Sequence, residues 1–488
     1  MNEENSRLLA DRLEALAKSD AYPYHMPGHK RRLGDVMKGQ SGMSAVEILT
    51  AAATLDITEI DDFDNLHDPE GILREAMDRA AQLYGAQDAY FLINGSTSGL
   101  LTAISAAVPE GGKLIMARSC HRAVYHAVYL RKIEPVYLYP HTVPDILTAD
   151  VVTPKQVEAA LRDNPDAKAV LVVSPTYDGI TADIGAIAEV AHRYGLPLIV
   201  DGAHGAHYGF HPGFPQSPVK LGADLTVVSL HKTMPCMTQT ALLLANGNLV
   251  DREKIRFFES VYQTSSPSYF FMAGMDACMA LVSEKGSLLW DNFFRDREEF
   301  LKRTQSLKRL RVISAGSVSF LMDPGKILID TSKTDLTGKA LYDILLLKYH
   351  LQMEMASQHY VTAIMTCCDS QEGWQRLAEA LLGADEAVRE RKNARAPQFG
   401  DKKVMRPYPE MEVACQISRA LDGPWQDAAF EAARGRVSAA FVNLYPPGIP
   451  LLVPGERISQ EALELIAAYR QQGLQIQGLK EDKIRVLL

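Results

Sequence analysis

Asp224-Leu225-Thr226-Val227-Val228-Ser229-Leu230-His231-Lys232 decides how this chain folds. Its first five residues form an apolar run with the character of a buried strand, and a short segment ending in histidine and lysine follows at once. A second run, Pro197-Leu198-Ile199-Val200, ends at Asp201, and residues 167–173 form a third, nearly all apolar. An amphipathic helical pattern over 184–194 leads into the strand that ends at Asp201. Further upstream, residues 89–93, 113–116 and 134–139 read as strands, and a helical pattern follows the first of these to Val108. This alternation predicts a mostly parallel sheet with helices on both faces, the α/β class. In such sheets ligands bind beyond the carboxyl ends of the strands. Asn94 to Ser98, Asp201 and Lys232 all fall at such ends.

Outside this core the pattern changes. Residues 1 to about 85 read as mainly helical, with an irregular acidic stretch at 56–70. An α+β subdomain is expected over 306–385, with strands at 318–322, 326–330 and 361–367 and helices at 337–349 and 372–382. The charged run 386–395 reads as a solvated helix face or a linker. A small C-terminal α+β domain is expected over 397–488, which leaves 1–305 for the N-terminal segment and the large domain.

The chain has 488 residues, 47% of them hydrophobic, which suits two or three domains with a sizeable core. A net charge of −9 gives no basic footprint for nucleic acid. The six cysteines show no C-x-x-C pair and no zinc spacing, and read as reduced thiols. The polar, acidic start is unlike a signal peptide, and no apolar run approaches the roughly 18 residues of a membrane span. A cytoplasmic protein is expected.

A lysine just after one buried strand, with an aspartate at the tip of another, suits pyridoxal phosphate: the lysine forms a Schiff base with its aldehyde and the aspartate keeps the pyridine nitrogen protonated. Alone, Ser229-Leu230-His231-Lys232 is a weak signal, since most lysines are solvated surface charges. Other segments add to it. Asn94-Gly95-Ser96-Thr97-Ser98-Gly99, between a strand and a helix, suits a phosphate cup as well as an ordinary helix cap. Ser229 and His231 are candidates to complete that cup. His121, after the second strand, is a candidate to stack on the pyridine ring. Ala203 is small enough to lie against the ring, and Thr176 is placed to hydrogen-bond near it, although Pro175 and Asp178-Gly179 also explain a turn there. His204 and His207 lack the spacing and companions of a metal site, so no metal is expected.

These residues resemble the Orn/Lys/Arg decarboxylases, pyridoxal-phosphate enzymes of fold type I, the aspartate aminotransferase-like fold. The resemblance is carried by Tyr24-His25-Met26-Pro27-Gly28-His29-Lys30, Ser174 to Gly179, Asp201 to His207 and Ser229 to Gln239. It continues in Gln263-Thr264-Ser265-Ser266-Pro267-Ser268-Tyr269, Tyr445-Pro446-Pro447-Gly448-Ile449-Pro450 and Pro454-Gly455-Glu456. The chain resembles the short bacterial form without an N-terminal wing domain. The resemblance implies Lys232 as the Schiff-base lysine, Asp201 as the pyridinium partner and His121 as the stacking histidine. It also implies a phosphate site of Ser96, Thr97, Ser229 and His231, and His204 beside the cofactor. Thr264 to Ser268 resembles a segment that reaches the neighbouring subunit's site, which implies a homodimer or a larger assembly. Three places depart from the pattern: Gly202 stands where many short-form relatives have an acidic residue, 58–67 is irregular, and the cup reads Gly-Ser-Thr-Ser-Gly.

The implied reaction is α-decarboxylation of arginine or lysine, with ornithine less favoured, to agmatine or a diamine and CO2. Lys232 or His231 would return a proton to the α-carbon. Glu456 is the candidate for reading the cationic end of the substrate. Two alternatives remain. One is another reaction at the α-carbon, such as transamination, for which Arg406 or Arg436 would clamp the carboxylate, or another lyase reaction. The other is a catalytically silent regulatory relative.

Overall fold

The computed structural model describes residues 20, 22–24, 64–143, 146, 148–389, 407–445 and 448–488. His25 to Lys30, most of the irregular stretch 58–67, Arg406, Pro446 and Pro447 lie outside the described residues.

Among the described residues the first elements are β1 (Tyr22–Tyr24) and α1 (Ile72–Tyr84), then β2 (Asp88–Leu92), α2 (Gly95–Ala107), β3 (Lys113–Ala117), α3 (Arg122–Leu130) and β4 (Glu134–Leu138). A short hairpin of β5 (Thr142–Val143) and β6 (Thr148–Ala149) precedes α4 (Pro154–Asp163), β7 (Ala167–Val173), α5 (Ile184–Arg193) and β8 (Leu198–Asp201). Next come β9 (Leu225–Ser229), α6 (Leu230–Thr233), β10 (Ala241–Ala245) and α7 (Arg252–Tyr262).

Seven of these strands form one sheet in the order β2-β10-β9-β8-β7-β3-β4, in which β10 alone runs antiparallel to its neighbours. Alternation along a strand sends successive side chains to opposite faces. On β2, Ala89, Phe91 and Ile93 enter one apolar cluster while Tyr90 and Leu92 enter another, and on β10 Leu242 and Leu244 separate from Leu243 in the same way. Helices cover both faces. In α1 the buried residues Leu73, Ala76, Met77, Ala80, Ala81 and Tyr84 recur at helical spacing and pack on the first face. The chain reverses its direction of travel across the sheet between β3 and β7. The carboxyl ends of those two strands therefore flank a topological switch point, where this architecture leaves a crevice.

A 36-residue helix, α8 (Tyr269–Thr304), leads away from the large sheet. It reaches β11 (Arg311–Ile313), β12 (Lys326–Asp330), α9 (Gly338–Tyr349), β13 (Leu351–Met353), β14 (Met355–Ala356), β15 (Tyr360–Ile364) and α10 (Gln371–Ala387). β11, β12, β15 and β14 make an antiparallel sheet, while β13 pairs in parallel with β1. The strand expected at 318–322 does not form. Gly316, at φ 89°, turns the chain, and only Met322 makes an isolated bridge, to Ile180.

The last segment carries α11 (Ile417–Asp422), β16 (Trp425–Ala429), β17 (Val442–Leu444), β18 (Ile449–Leu452), α12 (Gln460–Gln471), β19 (Ile476–Gln477) and β20 (Lys483–Leu487) around its own apolar cluster. None of the six cysteines is in a disulfide, and among the described residues no helix is long and apolar enough to cross a membrane.

Candidate active site

The carboxyl ends of β2, β3, β7 and β8, with the segment after β9, open on one cavity of about 420 Å³. Gly95, Ser96, Thr97, His121, Thr176, Asp201, Ala203, His204, His231 and Lys232 line it. Ten positions spread over 138 residues of sequence therefore meet in one place.

The cup is built at the start of α2. Its N-cap, Asn94, makes no side-chain capping bond, so the first N–H groups of the helix are left for an anion, which the helix dipole also favours. Ser98 Oγ donates back to Gly95 O at 2.8 Å, whereas Ser96 and Thr97 line the cavity. The Gln263 side-chain oxygen accepts from Ile93 N at 2.8 Å and holds the loop in place. Ser229, wholly buried at the end of β9 and not itself in the cavity lining, has no hydrogen-bond partner for its Oγ. A buried hydroxyl without a partner is costly, and a phosphate oxygen would relieve that cost. His231 lines the cavity with its Nδ1 3.1 Å from Thr240 O.

Lys232 follows on α6. Burial lowers its pKa, and Asp201 and Glu354 oppose the shift. A lysine with depressed pKa reaches its nucleophilic free-amine form more readily. Asp201 is buried at the tip of β8, and burial raises its pKa while Lys232 and a 3.2 Å bond from Ala203 N oppose the rise. A cationic pyridinium is the partner such a carboxylate lacks. His121 caps α3 by accepting from Ala123 N at 3.2 Å, and burial, chiefly, pushes it down to about 3. It therefore presents a neutral ring. Thr176 Oγ1 accepts from Ile180 N at 3.0 Å, so the turn and the cavity share this hydroxyl, whose own proton is still available. Among the described residues, cup, lysine, carboxylate and flat small-residue floor match the donor set that pyridoxal phosphate requires.

His204 has ring nitrogens on two lysines, Nε2 at 3.1 Å from Lys232 Nζ and Nδ1 at 3.0 Å from Lys326 Nζ. His207 points elsewhere, with Nε2 3.0 Å from Asp323 Oδ1 among Tyr208, Phe214 and Trp290. No group of described side chains has the arrangement of a metal site.

The expectation for Glu456 is corrected. Both of its oxygens accept from Arg118, at 2.9 Å each, and Oε2 also accepts from Val453 N at 2.9 Å. Only 1% exposed and fully engaged, it does not line the cavity. Arg436 is likewise absent from the lining and donates to Leu487 O at 3.2 Å. Besides Asp201, the carboxylates that line the cavity are Asp178 and Glu354, and Glu354 acts on both Lys232 and Lys326. Tyr177 donates its hydroxyl to Glu354, and Thr148 donates to Asp178 Oδ2 at 2.5 Å. Neither carboxylate was singled out from sequence. Glu354 sits between two short strands with no motif around it, and Asp178 reads there as a turn residue. Leu444, Tyr445, Ile449, Leu451 and Tyr469 close the remaining side with a largely apolar wall.

The chain matches the family described as Orn/Lys/Arg decarboxylase, major domain, over residues 9–337, and its C-terminal domain over residues 401–483. It is 33% identical over 482 residues to a protein of Bacillus subtilis (strain 168) named Uncharacterized protein YaaO, covering 97% of this chain and 96% of that one. It is 28% identical over 480 residues to the arginine decarboxylase of the same organism, covering 97% and 96%. The structure of the Escherichia coli constitutive lysine decarboxylase superposes with a TM-score of 0.73 at 20% identity, over 98% of this chain and 81% of that one.

Proposed function

The chain belongs to the Orn/Lys/Arg decarboxylase family, and from that premise we propose that it removes CO2 from the α-carbon of arginine to give agmatine, with lysine as the second choice. The observation that carries this reading is one cavity lined both by the cofactor candidates and by two further carboxylates, Asp178 and Glu354. The relative of nearly equal length named arginine decarboxylase supports arginine over lysine.

Lys232 would hold pyridoxal phosphate until substrate arrives, and the bound group would supply a protonated ring able to take up the electron pair left when the carboxylate departs. Asp201 holds the proton on the ring nitrogen, a preorganised electrostatic role. His121, neutral and held by Ala123 N–H, would stack on the ring, and Ala203 is small enough to admit it. Ser96, Thr97, Ser229 and His231 would hold the phosphate. The apolar wall formed by Leu444, Ile449 and Leu451 takes the α-carboxylate, an environment that favours its loss as neutral CO2. We assign the return of a proton at the α-carbon to Lys232. Glu354, braced by Tyr177, reads the cationic end of the side chain.

Two copies sharing their sites complete the assignment. The support is the exposed Asn94 and Thr97 at the cup mouth, beside Thr264, whose N–H donates to Asn94 Oδ1 at 3.3 Å, and the exposed Phe257 and Val261 of α7.

Purified protein with pyridoxal phosphate is incubated separately with arginine, lysine and ornithine, and products are identified by mass spectrometry. Agmatine from arginine is expected. No amine from any of the three, with the Schiff-base absorbance present, overturns the reaction. Loss of that absorbance in Lys232→Ala is expected, and its retention overturns the lysine assignment.

A further inference from the structure

Decarboxylation puts a proton where CO2 was, so each turnover takes one proton from water and needs a route for it to the α-carbon. The structure contains a chain of three nitrogens suited to such a route. His204 lies between Lys232 and a second buried lysine, Lys326, the first residue of β12. Lys326 is 0% exposed, with Nζ 5.5 Å from the centre of the Tyr177 ring. Its stem is built in. Gly179 has φ 94°, and a Cβ there would lie 2.5 Å from Lys326 Cγ, so the turn after β7 is shaped around this side chain. Buried lysines are rare unless something holds them. Besides Tyr177 and His204, the titratable groups facing Lys326 are Asp323, Glu354 and Asp178, with Lys232 opposing across the imidazole.

The contacts determine the tautomer of His204. Burial and the two lysines hold this imidazole well below its ordinary range, so it is neutral. A neutral imidazole has one donor and one acceptor nitrogen. An ammonium at Lys326 can only donate, which makes Nδ1 the acceptor. Nε2 then carries the hydrogen and directs it at Lys232 Nζ.

We propose that Lys326 is a positioning residue that recharges Lys232 with a proton through His204 in each turnover. This rests on the assignment of Lys232 as the cofactor lysine and proton donor. An N–H bond breaks at Lys326 Nζ and one forms at His204 Nδ1. At the same time the Nε2–H bond of His204 breaks and one forms at Lys232 Nζ. The imidazole ends as its other tautomer and one positive charge moves from Lys326 to Lys232; between turnovers water in the cavity returns a proton to His204 Nε2 as the Nδ1 proton goes back to Lys326, which restores the starting tautomer and charge. Burial, the largest influence, brings Lys326 down to about 8, close to the pH at which a group both holds and releases a proton.

The test uses holoenzyme carrying Lys326→Met, of similar length and unbranched, and Lys326→Arg, which keeps the charge but does not release its proton. A donor works only while protonated, so wild-type kcat should fall as pH rises through about 8. Both variants should lose that limb and about 100-fold in kcat, with KM changed less than about twofold. Without substrate, the pH midpoint of the Schiff-base absorbance should rise by about one unit in Lys326→Met, because a cationic neighbour is gone, and stay in place in Lys326→Arg. Wild-type kcat in Lys326→Arg, or a retained limb near pH 8 in Lys326→Met, overturns the relay. If the arginine variant does not hold cofactor, the methionine profile decides alone. If the wild type decarboxylates no amino acid offered, the absorbance arm still decides, since an unmoved midpoint in Lys326→Met overturns the relay. Absorbance that survives in Lys232→Ala instead overturns the assignment on which the relay rests.

Discussion

Burial acts on Asp201 and Lys232 in opposite directions, raising the pKa of the carboxyl and lowering that of the amine, and each partly offsets the shift of the other. Both groups are therefore poised to exchange their present partner for the cofactor: Asp201 for a pyridinium, Lys232 for an aldehyde. Asp201→Ala should keep the fold and cut kcat by orders of magnitude, because the ring nitrogen loses the charge that keeps it protonated. Steady-state rates on cofactor-saturated protein check this, and a rate near wild type rejects the role. Glu354→Gln separates recognition from chemistry. It preserves shape and the bond from Tyr177 but removes the charge, so KM for arginine should rise by about 10- to 100-fold with a smaller change in kcat. A KM unchanged for arginine and lysine would return the reading of the cationic end to Asp178.

The elements that carry the site are short. α6 has four residues, and β8 has four. Such pieces have little stability of their own; they are held by the sheet and by the turns that follow its strands. The turn after β7 shows how closely this is set. Thr176 closes it, Asp178 and Tyr177 face the cavity, and Gly179 makes room for Lys326 with a backbone that favours glycine. Gly179→Ala should destabilise the protein by about 2–4 kcal/mol, combining left-handed strain with a steric clash. Urea unfolding checks the value, and Gly435→Ala serves as comparison, since it has φ 74° and open space around it and should cost about 1 kcal/mol.

At the scale of the whole molecule, the C-terminal segment is fastened to the large sheet by a buried ion pair. Arg118, at the end of β3, donates to both oxygens of Glu456 and to Pro450 O at 2.8 Å, while Tyr125 donates to Arg118 O at 2.5 Å. A backbone bond adds to it, from Arg122 N to Gly448 O at 3.3 Å. Arg118→Met leaves a buried carboxylate unpaired and should cost about 3–5 kcal/mol, whereas Arg118→Met with Glu456→Gln should cost less than the first change alone. Thermal unfolding of the three proteins checks the order, and a double variant weaker than Arg118→Met would show that Glu456 has a role beyond this pair.

The sequence by itself determined the layered α/β core and the principal cofactor candidates. Fully apolar runs such as 167–173 can be satisfied only inside a sheet covered on both faces, and residues immediately after such strands fall on one edge whatever the loops do. That reasoning works on local composition and order, so it reached Asp201, Ser229 and Lys232. It did not show which carboxylate faces the cavity, because charge and motif are the same whether a glutamate meets substrate or a buried arginine. Packing decided that Glu456 pairs with Arg118 and that Glu354 and Asp178 line the cavity. Lys326 was equally hidden: a lysine opening a strand reads as a solvated edge until β12 is laid against the turn after β7 and His204 comes within 3.0 Å. Contacts between distant segments depend on the distances between them, and only the tertiary structure sets those.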